Sequence, residues 1–99
     1  MYRTLRLCAN GGGYEALPEV PGALDLALVR AGLERAGIRV VDARVMLIAS
    51  LDPEVTISRS GRLLFKTPDA ATAEQTLARL RSLVDLDGAG RGRHARPIR

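Results

Sequence analysis

The residues that could perform covalent or acid–base chemistry are few and lie far apart along the chain. Cys8 is the only thiol, and the only histidine, His94, lies near the other end of the sequence. A nucleophilic cysteine needs a neighbouring base to activate it, and the predicted folded part contains no histidine for that role. We interpret Cys8 as a packed strand residue. An enzyme that uses Cys8 is the least favoured of the functions considered.

The acidic side chains do not form a reactive group either. The aspartates are scattered over predicted turns, helix caps and surfaces: Asp25, Asp42, Asp52, Asp69, Asp85 and Asp87. General acid–base work needs paired groups within hydrogen-bond reach, and a metal such as zinc needs three or four protein ligands. The sequence therefore predicts a non-catalytic protein without a metal or other cofactor.

A glycine run precedes the first predicted helix and raises the question of a phosphate-binding loop. Such a loop needs Lys-Ser or Lys-Thr after the glycines, or glycines in the G-x-G-x-x-G spacing. Neither pattern is present around Gly11–Gly13. We interpret Asn10–Tyr14 as a flexible connection.

The positive charge is concentrated at the C-terminal end. The formal net charge is +4. Residues 88–99 contain no acid and four arginines, Arg91, Arg93, Arg96 and Arg99, so residues 1–87 carry 11 basic and 11 acidic side chains. We expect one domain over residues 1–87 and a disordered basic tail over 88–99, because the tail has little apolar surface to offset the entropy of ordering.

Composition gives broad expectations about the setting. One cysteine cannot form an internal disulfide, which indicates a cytoplasmic protein. No apolar run is long enough to span a membrane, and the first residues lack the apolar core of a signal peptide. The preference for arginine over lysine fits a GC-rich genome, and the presence of only two side-chain amides, Asn10 and Gln75, fits a heat-adapted host.

A tight hairpin with a defined register is predicted within residues 55–66. A three-residue loop, Arg59-Ser60-Gly61, pairs Ile57 with Leu63 and Val55 with Phe65, which gathers these four apolar residues on one face. It also places Gly61 at the last loop position, where a left-handed conformation is wanted. The other face then carries Thr56, Ser58, Arg62, Leu64 and Lys66.

Two amphipathic helices are expected. The segment 67–69 is a helix start signal, and an apolar stripe follows at helical spacing, formed by Ala73, Leu77, Leu80 and Val84. An earlier helix runs from Pro21 to Ala36 and ends at Gly37. That helix has a second apolar stripe, Leu24, Ala27, Leu28 and Ala31, which is a candidate contact surface.

The remaining strands complete an α+β fold. Tyr2–Ala9 alternates apolar and polar residues and is the first predicted strand; Ile38–Ala49 is a long strand that a bend near Asp42 could divide. The order β-α-β-β-β-α predicts a two-layer sandwich, an antiparallel sheet of about four strands with two helices on one face.

The uncovered face of this predicted sheet is the candidate functional surface. It gathers cations able to contact phosphate, namely Arg6, Arg44, Arg62 and Lys66, to which the tail arginines add non-specific contacts. It also carries apolar residues typical of an interface, namely Val40, Met46, Ile48 and Leu64. We expect a homodimer through this face or through the second stripe of the first helix. A non-catalytic accessory protein that binds DNA or RNA is the favoured function. The alternative is a structural or dimerising subunit of a larger complex.

Residues 55–84 resemble one repeat of the TATA-box-binding proteins, in which a strand, a Ser-Gly-basic turn and a second strand lead into an Ala- and Glu-rich helix. The resemblance covers about a third of the chain and implies a sheet face that binds a DNA minor groove. The same outline also resembles the small dimer-forming subunit of the KEOPS tRNA-modification complex. That second resemblance implies a scaffold role.

Overall fold

The protein forms a six-stranded antiparallel sheet covered on one side by two helices. A computed structural model describes residues 5–7, 12–18 and 23–86. The strands are β1 (Arg6–Leu7), β2 (Tyr14–Ala16), β3 (Val40–Asp42), β4 (Met46–Ala49), β5 (Val55–Ser58) and β6 (Leu63–Phe65), and the helices are α1 (Leu26–Arg35) and α2 (Ala70–Leu83). The strand order across the sheet is β1-β2-β6-β5-β4-β3, with every neighbouring pair antiparallel.

Both helices pack on the same face of the sheet, which confirms the predicted α+β sandwich. Val29 and Leu33 of α1 and Leu80 of α2 belong to one buried cluster with sheet residues such as Ile57 and Phe65. We call this side the helix face and the opposite side the open face. The sheet and both helices therefore share one hydrophobic core, as in other two-layer α+β structures. None of the described helices is long and apolar enough to cross a membrane.

The β5–β6 hairpin has the predicted register. Ile57 pairs with Leu63 and Val55 with Phe65, and all four side chains are buried. The Gly61 amide donates to the Ser58 carbonyl at 2.9 Å, and Gly61 has φ of +97°. A residue with a Cβ rarely adopts that φ, so glycine is needed at the end of this loop.

The predicted strand Ile38–Ala49 is divided near Asp42, as the sequence allowed, but the chain there turns back on itself instead of bending within one strand. β3 and β4 pair as a hairpin, with Val40 opposite Ala49 and Val41 opposite Ile48. The turn places Arg44 at φ +74°, and the Asp42 side chain accepts a hydrogen bond from the Arg44 amide at 2.8 Å. Because the chain reverses here, Val40 packs against the core and Val41 faces away from it, the opposite of what one continuous strand would give.

The sheet has six strands rather than about four. The division of residues 38–49 into β3 and β4 adds one strand, and β2 adds another. Tyr14, predicted to end a loop, begins β2 and pairs with Phe65 of β6. Gly13 precedes it and is buried. A Cβ on Gly13 would lie 2.7 Å from the carbonyl oxygen of Phe65, so this glycine allows close approach of β6 rather than chain flexibility. Of the predicted first strand Tyr2–Ala9, only β1 lies within the described residues.

The helix boundaries follow from their caps. α1 begins at Leu26 rather than near Pro21, because the Asp25 side chain accepts hydrogen bonds from the amides of Ala27 and Leu28 at 3.1 and 3.3 Å. It ends as predicted before Gly37, which has φ of +81°. The N-cap of α2 is Asp69, which accepts from the amide and hydroxyl of Thr72.

The two helices meet closely at one point. A Cβ on Gly32 of α1 would lie 2.5 Å from Cγ1 of Val84, the C-cap residue of α2, and 3.4 Å from the Leu83 carbonyl oxygen. A side chain at position 32 would therefore displace the Val84 side chain or push the helices apart.

Candidate functional site

The open face presents one continuous row of side chains across all six strands. Strand pairing places these residues side by side, in order Arg6, Glu15, Leu64, Thr56, Ile48 and Val41. Arg62, Ser58 and Met46 flank the row on one side, and Lys66 and Glu54 flank it on the other. These eleven residues define the open face below. Both described helices lie on the opposite side of the sheet.

A charged cluster occupies the β1–β2–β6 half of the open face. Glu15 of β2 lies between two arginines: Arg6 Nε donates to Oε2 at 2.7 Å, and Arg62 Nε donates to Oε1 at 2.7 Å. Strand pairing puts Arg6 directly opposite Glu15, while Arg62 reaches it from the neighbouring strand β6. A carboxylate that accepts a hydrogen bond on each oxygen is held in one orientation, and so are its two donors.

Burial within this cluster is uneven. The Glu15 side chain is 10% exposed, whereas the Arg6 and Arg62 side chains are 68% and 50% exposed. The hydrogen bonds from Arg6 and then Arg62 hold the pKa of Glu15 below its ordinary range, so Glu15 is ionised at neutral pH. A partner that approached this half would therefore meet guanidinium groups rather than the carboxylate.

Lys66 has an acidic neighbour too. Its Nζ lies 3.6 Å from Oε2 of Glu54, with the two side chains 66% and 41% exposed. At that distance and exposure the pair is weak, because both groups remain solvated. Lys66 therefore adds exposed positive charge to the same half of the face.

The β5–β4–β3 half is apolar or uncharged. Met46 and Ile48 of β4 are half-buried, and Val41 of β3 is 52% exposed. Leu64 of β6 lies at the border with the charged half, and Thr56 and Ser58 supply hydroxyls between them. The predicted positions of Met46, Ile48 and Leu64 on the open face are confirmed.

Two predicted site residues lie elsewhere. Val40 was placed on the open face, but its pairing with Ala49 puts it on the helix face, where it packs against the core. Arg44 was also placed on the open face, but it lies in the turn between β3 and β4. Both errors come from treating residues 38–49 as one strand, since the hairpin turn reverses the alternation before it. Val41, which pairs with Ile48, is the residue that the open face gains.

Several predictions fall outside the described residues. These are the positions of Cys8 and His94 and of the tail arginines Arg91, Arg93, Arg96 and Arg99. Within the ranges that the structure does describe, no three His, Cys, Asp or Glu side chains lie close enough together to hold a metal ion.

The second stripe of α1 is a weaker candidate surface than predicted. Leu24 precedes the helix and is buried, with its amide donating to the Arg59 carbonyl at 2.7 Å. Leu28 is exposed and lines a small groove of about 210 Å³ beside Gly32 and Val84. One exposed leucine over a shallow groove offers less apolar surface than the open face.

A second groove lies between α1 and the β3–β4 turn. It has a volume of about 340 Å³ and is lined in part by Leu26, Leu47 and Arg44. Arg30 at its rim donates to Glu34 at 3.1 Å and to Asp42 at 3.2 Å. The Arg30–Asp42 pair ties α1 to β3, whereas the Arg30–Glu34 pair lies within α1.

Glu15 is the central residue that sequence reasoning missed. It follows directly after the segment Asn10–Tyr14 that was interpreted as a connection, and only the strand pairing shows that it faces Arg6 and Arg62. A possible signal was the sequence Tyr-Glu-Ala after the glycines, an apolar-polar-apolar alternation too short to identify a strand by itself. Comparison of the chain with protein-family models, with curated proteins and with solved structures found no match.

Proposed function

We propose that the protein is a non-catalytic accessory subunit that binds another protein through the open face of its sheet. The observation that carries the proposal is the division of this face into an apolar half with exposed Val41 and a cationic half built on Glu15. Apolar surface bordered by charged and polar residues is typical of a protein interface.

Nucleic acid is a less suitable partner for this face. A nucleic-acid surface must match a line of phosphates with cations that are free to neutralise them. Here the three cations Arg6, Arg62 and Lys66 share the face with the carboxylates Glu15 and Glu54, so the net positive charge is too small to match a line of phosphates. The described aromatic residues, Tyr14 and Phe65, belong to the helix face and offer no base-stacking surface on the open side.

A second copy of the chain also fits this face poorly, although a homodimer stays a prediction. The cations Arg6, Arg62 and Lys66 all lie on one half, and the apolar side chains on the other. When two such faces stack with their strands aligned, the two-fold axis lies either across the strands or along them. The first arrangement sets cations against cations, and the second sets cations against apolar residues. Both arrangements cost free energy, so a different protein is the better occupant.

Site-resolved photo-crosslinking in host cells tests this proposal. A photoreactive amino acid at Thr56 samples the centre of the open face, and one at the exposed Gln75 of α2 is the matched control. We expect a protein adduct from position 56 that Met46→Arg abolishes, and none from position 75. An adduct sensitive to nuclease, an adduct of two copies of this chain, or equal adducts from both positions would each overturn the proposal.

A further inference from the structure

We infer that Arg6 and Arg62 form a seat for one carboxylate of the partner protein, an Asp or Glu side chain or a chain terminus. This inference rests on the proposed function, because it assigns the chemistry of the group that the open face receives. Glu15 acts in it as a positioning residue, which holds the two guanidinium groups and does not itself touch the incoming group.

The geometry of the cluster supplies the first argument. Each arginine uses Nε to reach a different oxygen of Glu15, at 2.7 Å in both cases. A guanidinium carries four further N–H donors in a fixed plane. The Glu15 carboxylate already restricts the rotamers of both arginines. Binding therefore costs less side-chain entropy than it would for two unrestrained arginines.

The charge of the cluster identifies the class of ligand. Two guanidinium groups and one ionised carboxylate leave a single net positive charge, and the Glu15 carboxylate is largely covered. One carboxylate neutralises that charge, whereas a phosphate dianion would leave an excess negative charge. A carboxylate also matches the planar pair of N–H donors that a guanidinium group presents.

The position of the seat links it to the apolar half of the open face. Leu64 is paired directly with Glu15, and Ile48 lies three strands from Glu15 in the same row. Neighbouring strands are about 4.8 Å apart, so Ile48 lies about 14 Å from the seat. The partner segment therefore carries an acidic group at one end and apolar side chains within about 14 Å of it.

The seat can be tested with a small probe and no partner protein. NMR spectra of the full chain resolve the Nε–Hε signals of individual arginines, and acetate is titrated at constant ionic strength against chloride. We expect saturable shifts of the Arg6 and Arg62 signals, with Arg79 on α2 as an exposed reference. Arg6→Gln or Arg62→Gln should weaken acetate binding about tenfold, the factor that corresponds to losing one charge-assisted hydrogen bond, and Arg79→Gln should leave it unchanged.

Two outcomes would overturn the inference. Linear shifts shared by Arg79 would mean that acetate has no specific seat. Tighter binding of dimethyl phosphate, a singly charged phosphodiester probe, than of acetate would assign the seat to nucleic acid instead. Neither result depends on the crosslinking experiment, so the seat and the proposed protein partner can fail separately.

Discussion

Arg62 on β6 donates a 2.7 Å hydrogen bond to Glu15 on β2, although the two residues are 47 positions apart in the sequence. The contact ties the N-terminal hairpin to the centre of the sheet on its open side. It also fixes the direction in which Arg62 projects, because the Glu15 side chain is nearly covered while the arginine stays half exposed. This one pairing connects the stability of β2 with the chemistry of the open face.

Replacing the Glu15 carboxylate should lower stability. Glu15→Gln removes the charge that two guanidinium groups share and leaves those groups facing each other. We expect the free energy of unfolding to fall by about 1 kcal/mol, at the low end for a charged hydrogen bond because the arginines are exposed. Urea unfolding measures the change. Glu54→Gln, which breaks only the weak pair with Lys66, is the matched control, and an equal loss in both variants would contradict this account.

The contribution of Glu15 should also depend on pH. Its pKa is lowered in the folded protein from the ordinary value of 4.5, because Arg6 and Arg62 donate to the ionised form. The folded state therefore binds the proton more weakly than the unfolded state. Stability from this group is fully present above the unfolded-state pKa and is lost as pH falls through the folded-state pKa. The stability difference between the protein and Glu15→Gln should be constant near neutral pH and shrink below about 4.5; a difference that grew in acid would refute the assignment.

The two faces of the sheet should respond differently to the same truncation. Ile57 is fully buried on the helix face, and Ile48 is half-buried on the open face of the adjacent strand. Ile57→Ala should cost about 2–5 kcal/mol of unfolding free energy, and Ile48→Ala about 1 kcal/mol, because only the first leaves a cavity in the core. Urea unfolding of both variants gives the comparison. Equal losses of unfolding free energy would mean that Ile48 is packed as tightly as a core residue, even without a partner.

Gly32 should not tolerate a methyl group. Gly32→Ala brings a Cβ within 2.5 Å of Val84 Cγ1, so the Val84 side chain or the helices must shift. Overpacking of this kind costs about 1–3 kcal/mol, and alanine's higher helix propensity recovers about 1 kcal/mol of it. The net result is a less stable protein. In a double-mutant cycle, Val84→Ala removes the colliding methyl, so Gly32→Ala should be less harmful in that background; purely additive losses would contradict the contact.

The Asp69 cap should be replaceable by asparagine more readily than by alanine. Its carboxylate accepts from the Thr72 amide at 2.9 Å and from the Thr72 hydroxyl, which lowers the pKa of Asp69. Asp69→Ala should lower the melting temperature measured by circular dichroism, and Asp69→Asn should lower it less, because asparagine also caps helices. As pH falls through the folded-state pKa of Asp69, the advantage of aspartate should disappear. Equal melting temperatures for all three proteins would show that the cap contributes nothing.

Sequence patterns predicted correctly those elements whose geometry is determined by residues within the element itself. The β5–β6 register follows from Ile57, Leu63 and the glycine at position 61, all within one hairpin. The turn between β3 and β4 carries a weaker signal, because the residues near Asp42 indicated a bend but not a reversal of the chain. Arg44 adopts φ of +74° without being glycine or asparagine, and apolar alternation runs through the turn unbroken. Because arginine disfavours the conformation it adopts here, its residue type does not indicate a hairpin turn.

The candidate site was predictable only in part for a similar reason. Alternation on β4, β5 and β6 placed Met46, Ile48 and Leu64 correctly. Glu15 was not found, because its role depends on Arg62 meeting it across a strand pair that no local pattern specifies. Its burial next to two arginines is a tertiary effect that overrides the low strand preference of glutamate.

The strand order sets the sequence of events during synthesis. β3, β4, β5 and β6 are successive neighbours, so each can pair as soon as the next strand leaves the ribosome. β2 pairs with β6, which follows it by about 50 residues, so the edge of β2 stays open until β6 is synthesised. Contacts this distant in sequence form slowly because the intervening loop must first be closed. The nascent chain therefore carries its first hairpin undocked until β6 emerges, and a chain stopped before Arg62 would have β5 as an unprotected edge prone to pair with other chains.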